Sequence, residues 1–246
     1  MLKIWLKNCL DGGKRKNNMT VELIDLLKAG VHFGHTKAKR HPGMEPYIFG
    51  IKQNISLIDL EQTQIKLEEA TKFAEEVTAN NGVILFVSSK KQASEIVKQA
   101  AITAGMPYIN TRWLGGTFTN FDNIISLSKK LKRMEEQNAK GEWSRYTKKE
   151  SLEKEREVVK LKSMVEGIAS MEKLPQAVFL VDVKKDETAL AEAKKKKIPI
   201  IAICDSNSNP KLIDYPIPGN DDAVKSIQIL TNAIADACVL GKKKQK

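Results

Sequence analysis

The chain has 246 residues, 41% of them hydrophobic and 29% charged, enough to bury a substantial core as one large domain or two small ones. Lys and Arg number 41 against 30 Asp and Glu, and the net charge of +11 suits a polyanionic partner such as nucleic acid, although a basic enzyme would share it. The longest apolar runs, residues 83–87 and 198–203, fall far short of the roughly 20 residues of a membrane-spanning helix. Cys9, Cys204 and Cys238 have neither the even count of a disulfide framework nor the Cys-x-x-Cys spacing of a thiolate zinc site, which points to a reducing compartment.

Residues 1–18 are basic, with a single short apolar stretch at Ile4, Trp5 and Leu6, too little for a signal peptide. They are expected to form a disordered extension. From Met19 a helix is expected, with Thr20 as its cap and Leu23, Ile24, Leu26 and Leu27 as its apolar face, ending near Gly30. Residues 32–46, dense in His, Arg, Lys, Gly and Pro, read as an irregular loop.

Short apolar runs then alternate with helical segments: a strand at 55–60, a helix at 62–80, a strand at 83–87 and a helix at 93–104. The rhythm returns with a strand at 177–183, a helix at 187–195, a strand at 199–204 and a final helix at 222–239. The strands are nearly continuous apolar runs, as expected where helices cover both faces of a parallel sheet. One doubly wound α/β domain, residues 19–121 and 175–240, accounts for both halves, and residues 241–246 form a basic tail.

Residues 122–174 differ in composition, being rich in Lys and Glu. Ile124, Leu127, Leu131 and Met134 are spaced three, four and three apart, and Val158, Leu161, Val165 and Ile168 repeat that spacing. With a break at 138–147, the pattern predicts an inserted antiparallel helical hairpin with a coiled-coil seam.

Enzyme chemistry finds little support. The strand at 83–87 runs into Ser88, Ser89, Lys90 and Lys91 rather than a glycine-rich phosphate loop, and Gly115-Gly116 lacks a following Gly-Lys-Ser/Thr. No Gly-x-Ser-x-Gly elbow is present. Asp182 and Asp205 fall at the carboxyl ends of strands, where ligands bind in such sheets, yet without a base or cofactor nearby they read as caps of the next helix or turn. His32, His35 and His41 match no established zinc spacing. One of them is expected to pack against Phe33 and the others to meet solvent or RNA. No catalytic residue, cofactor or metal is expected.

The positive signal is for RNA. Basic residues interleave with aromatics and glycines in residues 35–49 and 110–121, an arrangement that brings cations and backbone amides to phosphates. The candidates are Lys37, Lys39, Arg40 and His41 in the first segment, Arg112 in the second, and Lys194, Lys195 and Lys196 in a lysine run that serves equally as a solvated face. Of Trp113, Phe118 and Phe121, at least two are expected to pack the hairpin base rather than stack on bases. The run Lys242, Lys243 and Lys244 is divided between phosphate contact and solvent.

Seven blocks of sequence carry a resemblance. They are Ala-Gly-Val-His-Phe-Gly-His (29–35), Pro-Tyr-Ile-Phe-Gly (46–50), Ile-Asp-Leu (58–60), Arg-Trp-Leu-Gly-Gly-Thr with Thr-Asn-Phe (112–121), Thr-Lys-Lys-Glu (147–150), Val-Asp-Val-Lys-Lys (181–185) and Asp-Tyr-Pro-Ile-Pro-Gly-Asn-Asp (214–221). Across residues 21–239 the chain resembles the bacterial-type small ribosomal subunit protein two family. The resemblance implies a flavodoxin-like doubly wound sheet with a protruding helical hairpin, bound to small-subunit ribosomal RNA and neighbouring small-subunit proteins in support of translation. It implies no catalysis, small-molecule substrate or membrane. It adds the large small-subunit protein one as a candidate partner, late joining during assembly, and a place near the messenger-RNA exit side of a cytoplasmic or organellar ribosome. Thr36 stands where the family usually has Gln, and residues 1–18 precede its usual start. Two competing readings remain: an α/β enzyme using strand ends at Ser88, Asp182 and Asp205, and an interaction protein akin to laminin-binding relatives, against which residues 112–121 and the hairpin speak.

Overall fold

The computed structural model describes residues 21–244, with the backbone alone at Glu142 and Ser144. The expected cap Thr20 and the extension at 1–18 lie outside the described residues. Helix α1 (Leu23–Ala29) follows Glu22, which makes no side-chain cap, and stops at Gly30, whose φ of 75° lets its N–H turn back onto the Leu26 and Leu27 carbonyls.

The segment read as an irregular loop is more ordered than expected. It contains β1 (Phe33–Thr36) and two 3-10 turns, Lys37–Lys39 and Pro42–Tyr47, before β2 (Ile48–Lys52) and β3 (Ile55–Ile58). These strands form a separate antiparallel sheet in the order β1-β3-β2. The strand expected at 55–60 therefore does not belong to the parallel sheet. The cause is the two-residue connection Gln53-Asn54, with φ of 48° and 64°, which turns β2 back onto β3 as a tight hairpin. A parallel neighbour would have required a long crossover.

The main sheet is parallel and five-stranded: β4 (Ile84–Val87), β5 (Tyr108–Ile109), β6 (Ala177–Leu180), β7 (Ile200–Cys204) and β8 (Tyr215–Pro218), in the order β5-β4-β6-β7-β8. Counted within the sheet, this is the order 2-1-3-4-5 of flavodoxin-like folds. β8 carries Pro216 and Pro218, which cannot donate to a ladder on both sides, and accordingly it lies at an edge.

Alternation along the strands divides the core. Ile84, Phe86, Phe179, Ile201 and Ile203 face α1, α2 (Leu60–Ala79), α3 (Lys91–Ala104) and α7 (Val224–Lys244). Leu85, Val87, Val178, Leu180 and Ala202 face Trp113, Phe118 and α6 (Glu187–Lys195). Each such fully buried large side chain contributes about 1.5–3 kcal/mol.

Between the two halves, α4 (Phe121–Ala139) and α5 (Lys148–Val165) pack on that second face. Ile124, Leu131, Leu161, Val165 and Ile168 are buried there, with Leu127, Met134 and Val158 partly buried beside them. Ion pairs Lys130–Glu157 at 2.6 Å and Lys162–Glu135 at 3.6 Å link the two helices. Thr147 and Glu150 start α5 with a reciprocal capping box.

Helix α7 runs to Lys244, past the end expected at 239. A side chain at Gly241 would collide with the Thr78 hydroxyl and the Glu75 carbonyl, so its bareness lets α7 press on α2. Lys242 Nζ donates at 2.9 Å to the carbonyls of both Ala104 and Gly105, satisfying the end of α3, and Lys244 pairs with Glu75. Those two lysines are thus engaged with protein.

Candidate nucleic-acid interface

Residues 110–120 leave the carboxyl end of β5 and are held by one carboxylate. Glu192, on the inner face of α6 and only 8% exposed, accepts from Trp113 Nε1 (3.1 Å), Gly116 N (2.7 Å), Phe118 N (2.9 Å), Thr119 N (3.1 Å) and Thr119 Oγ1 (3.2 Å). Burial pushes this carboxyl up, but the hydrogen bonds from Gly116, Phe118, Trp113 and Thr119 outweigh it and hold Glu192 below the usual range. Trp113 and Phe118 are buried edge to face, centroids 4.9 Å apart, and both belong to the core on the second face of the sheet. Arg112, one residue before the anchored indole, is exposed.

Lys37 and Lys39 are exposed on the first 3-10 turn. Arg40 is half-buried and 3.9 Å from Glu45. His41 starts the second turn: its Nδ1 accepts from Gly43 N at 3.0 Å, and its backbone N–H donates to the Ser206 carbonyl at 2.8 Å. Because Ser206 follows β7, this segment lies along the carboxyl edge of the parallel sheet, the edge from which the Arg112 loop also departs. Lys194, Lys195 and Lys196 are exposed at the end of α6, which leads into the amino end of β7, so they lie at the opposite edge. There they also complement the helix dipole. His32 packs on Phe33, with ring centroids 4.0 Å apart.

A polar cluster that the sequence reading missed lies at the carboxyl edge. Lys90 Nζ is 2.6 Å from Asp222 Oδ1, 2.9 Å from Asp221 Oδ1 and 3.5 Å from Asp182 Oδ2. His35 is flanked by Asp205 Oδ2, 3.0 Å from Nδ1, and Asp222 Oδ2, 3.5 Å from Nε2. Burial, reinforced by the charges of Asp182 and Asp205, pushes Asp221 up to about 7. Asp222 is held low by its bond to Lys90. Burial opposes the charge on Lys90, but Asp222 and Asp221 raise its pKa well above normal. Asp182 Oδ1 caps the next turn by accepting from Lys185 N at 2.9 Å, as expected, whereas the Asp205 side chain accepts from the adjacent Ser206 N and its turn is closed by the backbone, Ser208 N donating to the Asp205 carbonyl at 3.0 Å. The available signals for the cluster were Lys90 just beyond a strand and the Asp pair after Gly219-Asn220.

The sequence profile described as ribosomal protein S2 matches residues 26–241. The chain belongs to the ribosomal protein S2 family. It is similar to proteins named small ribosomal subunit protein uS2. The one from Chloroflexus aggregans is 45% identical over 226 residues, covering 92% of this chain and 95% of the relative. That of Bdellovibrio bacteriovorus is 42% identical over 223 residues, 91% of this chain and 71% of the relative. That of Marinobacter nauticus is 44% identical over 219 residues, 89% and 88%.

In this S2-family chain, the sequence blocks gather around the features just described. Residues 29–35 end α1 and deliver His35, residues 112–121 form the loop held by Glu192, and residues 214–221 supply β8 and Asp221. These three of the seven blocks therefore come together at the carboxyl edge of the parallel sheet.

Proposed function

We propose that this S2-family chain is a structural, non-catalytic constituent of the small ribosomal subunit that binds its ribosomal RNA and neighbouring proteins. The supporting observation is the family match, which spans both halves of the sheet and the two helices between them. Lys37, Lys39, Arg40, His41 and Arg112 form the main phosphate-facing set along the carboxyl edge, and Lys194, Lys195 and Lys196 offer a second contact at the other edge. Cations on short turns and a loop anchored from behind recognise backbone shape more than base sequence.

In this reading α4 and α5 form an antiparallel coiled-coil hairpin inserted at 122–174 into one α/β body, and α7 closes that body. The hairpin and the exposed basic edge leave surface for other small-subunit proteins, with the large protein one among the candidate partners, on a cytoplasmic ribosome. The test is co-sedimentation of the full chain with small subunits depleted of their S2 protein, across a salt series. Stoichiometric binding that weakens with salt supports the proposal. No binding at low salt would overturn it.

A further inference from the structure

The outer edge of β5 meets the chain that returns from α5. Within the sheet β5 pairs with β4 alone, so its other side presents backbone polar groups that need a cover. Part of the cover is Gly167, in the 3-10 turn Glu166–Ile168 that follows α5. Any Cβ there would collide with the carbonyl and ring of Tyr108, so glycine is the residue that lets this turn lie against the strand.

Further contacts fix the walls on either side. Thr111 Oγ1 donates to the Ser163 carbonyl at 3.0 Å, joining the exit of β5 to α5. Ser94 Oγ, on α3, donates to the Asn110 carbonyl at 2.7 Å and accepts from Asn110 Nδ2 at 3.2 Å. Between these walls lies a cavity of about 180 Å³, whose lining includes Lys98, Tyr108, Asn110, Lys162, Ser163 and Glu166.

The cations of this cavity are poorly answered. Lys98 is half-buried and makes no hydrogen bond or ion pair among the described residues. Lys162 lies 3.6 Å from Glu135 and 3.8 Å from Glu166, and ion pairs so long between such exposed side chains are worth little. Glu166 is the one acid in the lining. The Ser163 carbonyl, which would repel an anion, is already occupied by the Thr111 hydroxyl. Arg112, exposed, follows directly on Thr111 of the lining and brings a third cation beside it.

We propose that this cavity takes one phosphate group of the ribosomal RNA backbone, held between Lys98 of α3 and Lys162 of α5. Two ammonium groups from different walls suit the several oxygens of a phosphate, each lysine acting as a point charge. Tyr108 is the only aromatic ring in the lining, so a base would find no second face to stack on. The inference rests on the ribosomal reading and extends its phosphate-facing set from the carboxyl edge round to the side of the sheet. Because one wall belongs to the sheet and the other to α5, the bound phosphate also pins α5 to the edge strand.

The test uses the full chain and small subunits depleted of their S2 protein, with Lys98→Met, Lys162→Met, the double variant, and Lys72→Met on α2 as the control for lost charge. Each cavity variant should bind about three- to tenfold more weakly, while the control keeps wild-type affinity and thermal melts show every variant folded. Once one lysine is gone the phosphate is no longer clamped, so the double variant should lose less than the product of the two. Its salt dependence should fall by about one ion, for one phosphate, rather than two. Ethylnitrosourea footprinting should find one phosphate that wild type protects and the double variant leaves reactive. Wild-type affinity in both single variants, an equal loss in Lys72→Met, or losses that multiply as the salt dependence falls by two ions would each overturn the proposal. So would weaker binding with no phosphate newly reactive, which would point to a protein carboxylate instead. Failure of wild type itself to bind depleted subunits would overturn the ribosomal reading, and this inference with it.

Discussion

Glu192 Oε1 takes both the indole N–H of Trp113 and the backbone N–H of Gly116, so a single acid on α6 fixes the loop that displays Arg112. Glu192→Ala would leave five donors without their acceptor. With each buried orphan costing about 1–3 kcal/mol, partly recovered by water, a loss on the order of 3 kcal/mol is expected in urea unfolding.

The same carboxyl gives a pH dependence. Its folded pKa lies below its unfolded one, so its stabilisation is complete above the unfolded carboxylate range and is lost as pH falls through the lower, folded value. Wild type should therefore lose stability on acidification more steeply than Glu192→Gln. Equal slopes in a series of denaturation curves from neutral to acid pH would contradict this.

Arg112→Glu should weaken association with small-subunit RNA by about 1–3 kcal/mol and flatten the salt dependence, while leaving the unfolding midpoint near wild type. Trp113→Ala should do the reverse in the first instance, costing about 3–5 kcal/mol of stability because its ring is core. Filter binding and thermal melts on both variants separate the two roles.

Gln53 sits at φ 48° without being glycine or asparagine. Left-handed backbone costs most residues roughly 1–2 kcal/mol. Gln53→Gly should recover part of that, about 0.5–1 kcal/mol, read as a higher unfolding midpoint with unchanged RNA binding.

Lys242→Met removes the ammonium that serves two carbonyls at the end of α3. A loss of about 1–2 kcal/mol is expected. If Lys242 served only the RNA, stability would not change and binding would.

Much of the large sheet was legible because buried parallel strands are short continuous apolar runs, as at 84–87 and 177–180, and because the helices between them keep a regular period. Two strands escaped for different reasons. β5 has only two residues, and β8 is interrupted by prolines that only an edge position tolerates. The small sheet was hidden by the Gln53-Asn54 turn, whose Gln gives no conventional hairpin signal. At the candidate site, Arg112 and the lysines were readable from charge and composition. Glu192 and the Lys90 and His35 clusters were not, since their partners lie far away in sequence and only the folded chain brings them together.

The packing of α7 sets an order of events during synthesis. Asn220 donates to the Gly30 carbonyl across 190 positions of chain, Lys90 holds Asp221 from 131 positions away, and Gly241 seats against α2. Closing such long loops costs entropy that is repaid only when both ends are present. The apolar face of α2, with Leu67, Ala70 and Ala74, is therefore fully covered only once α7 has docked beside the sheet. Docking of α7 is then the step that completes this side of the body, and a chain in which α7 is undocked presents apolar surface that favours aggregation.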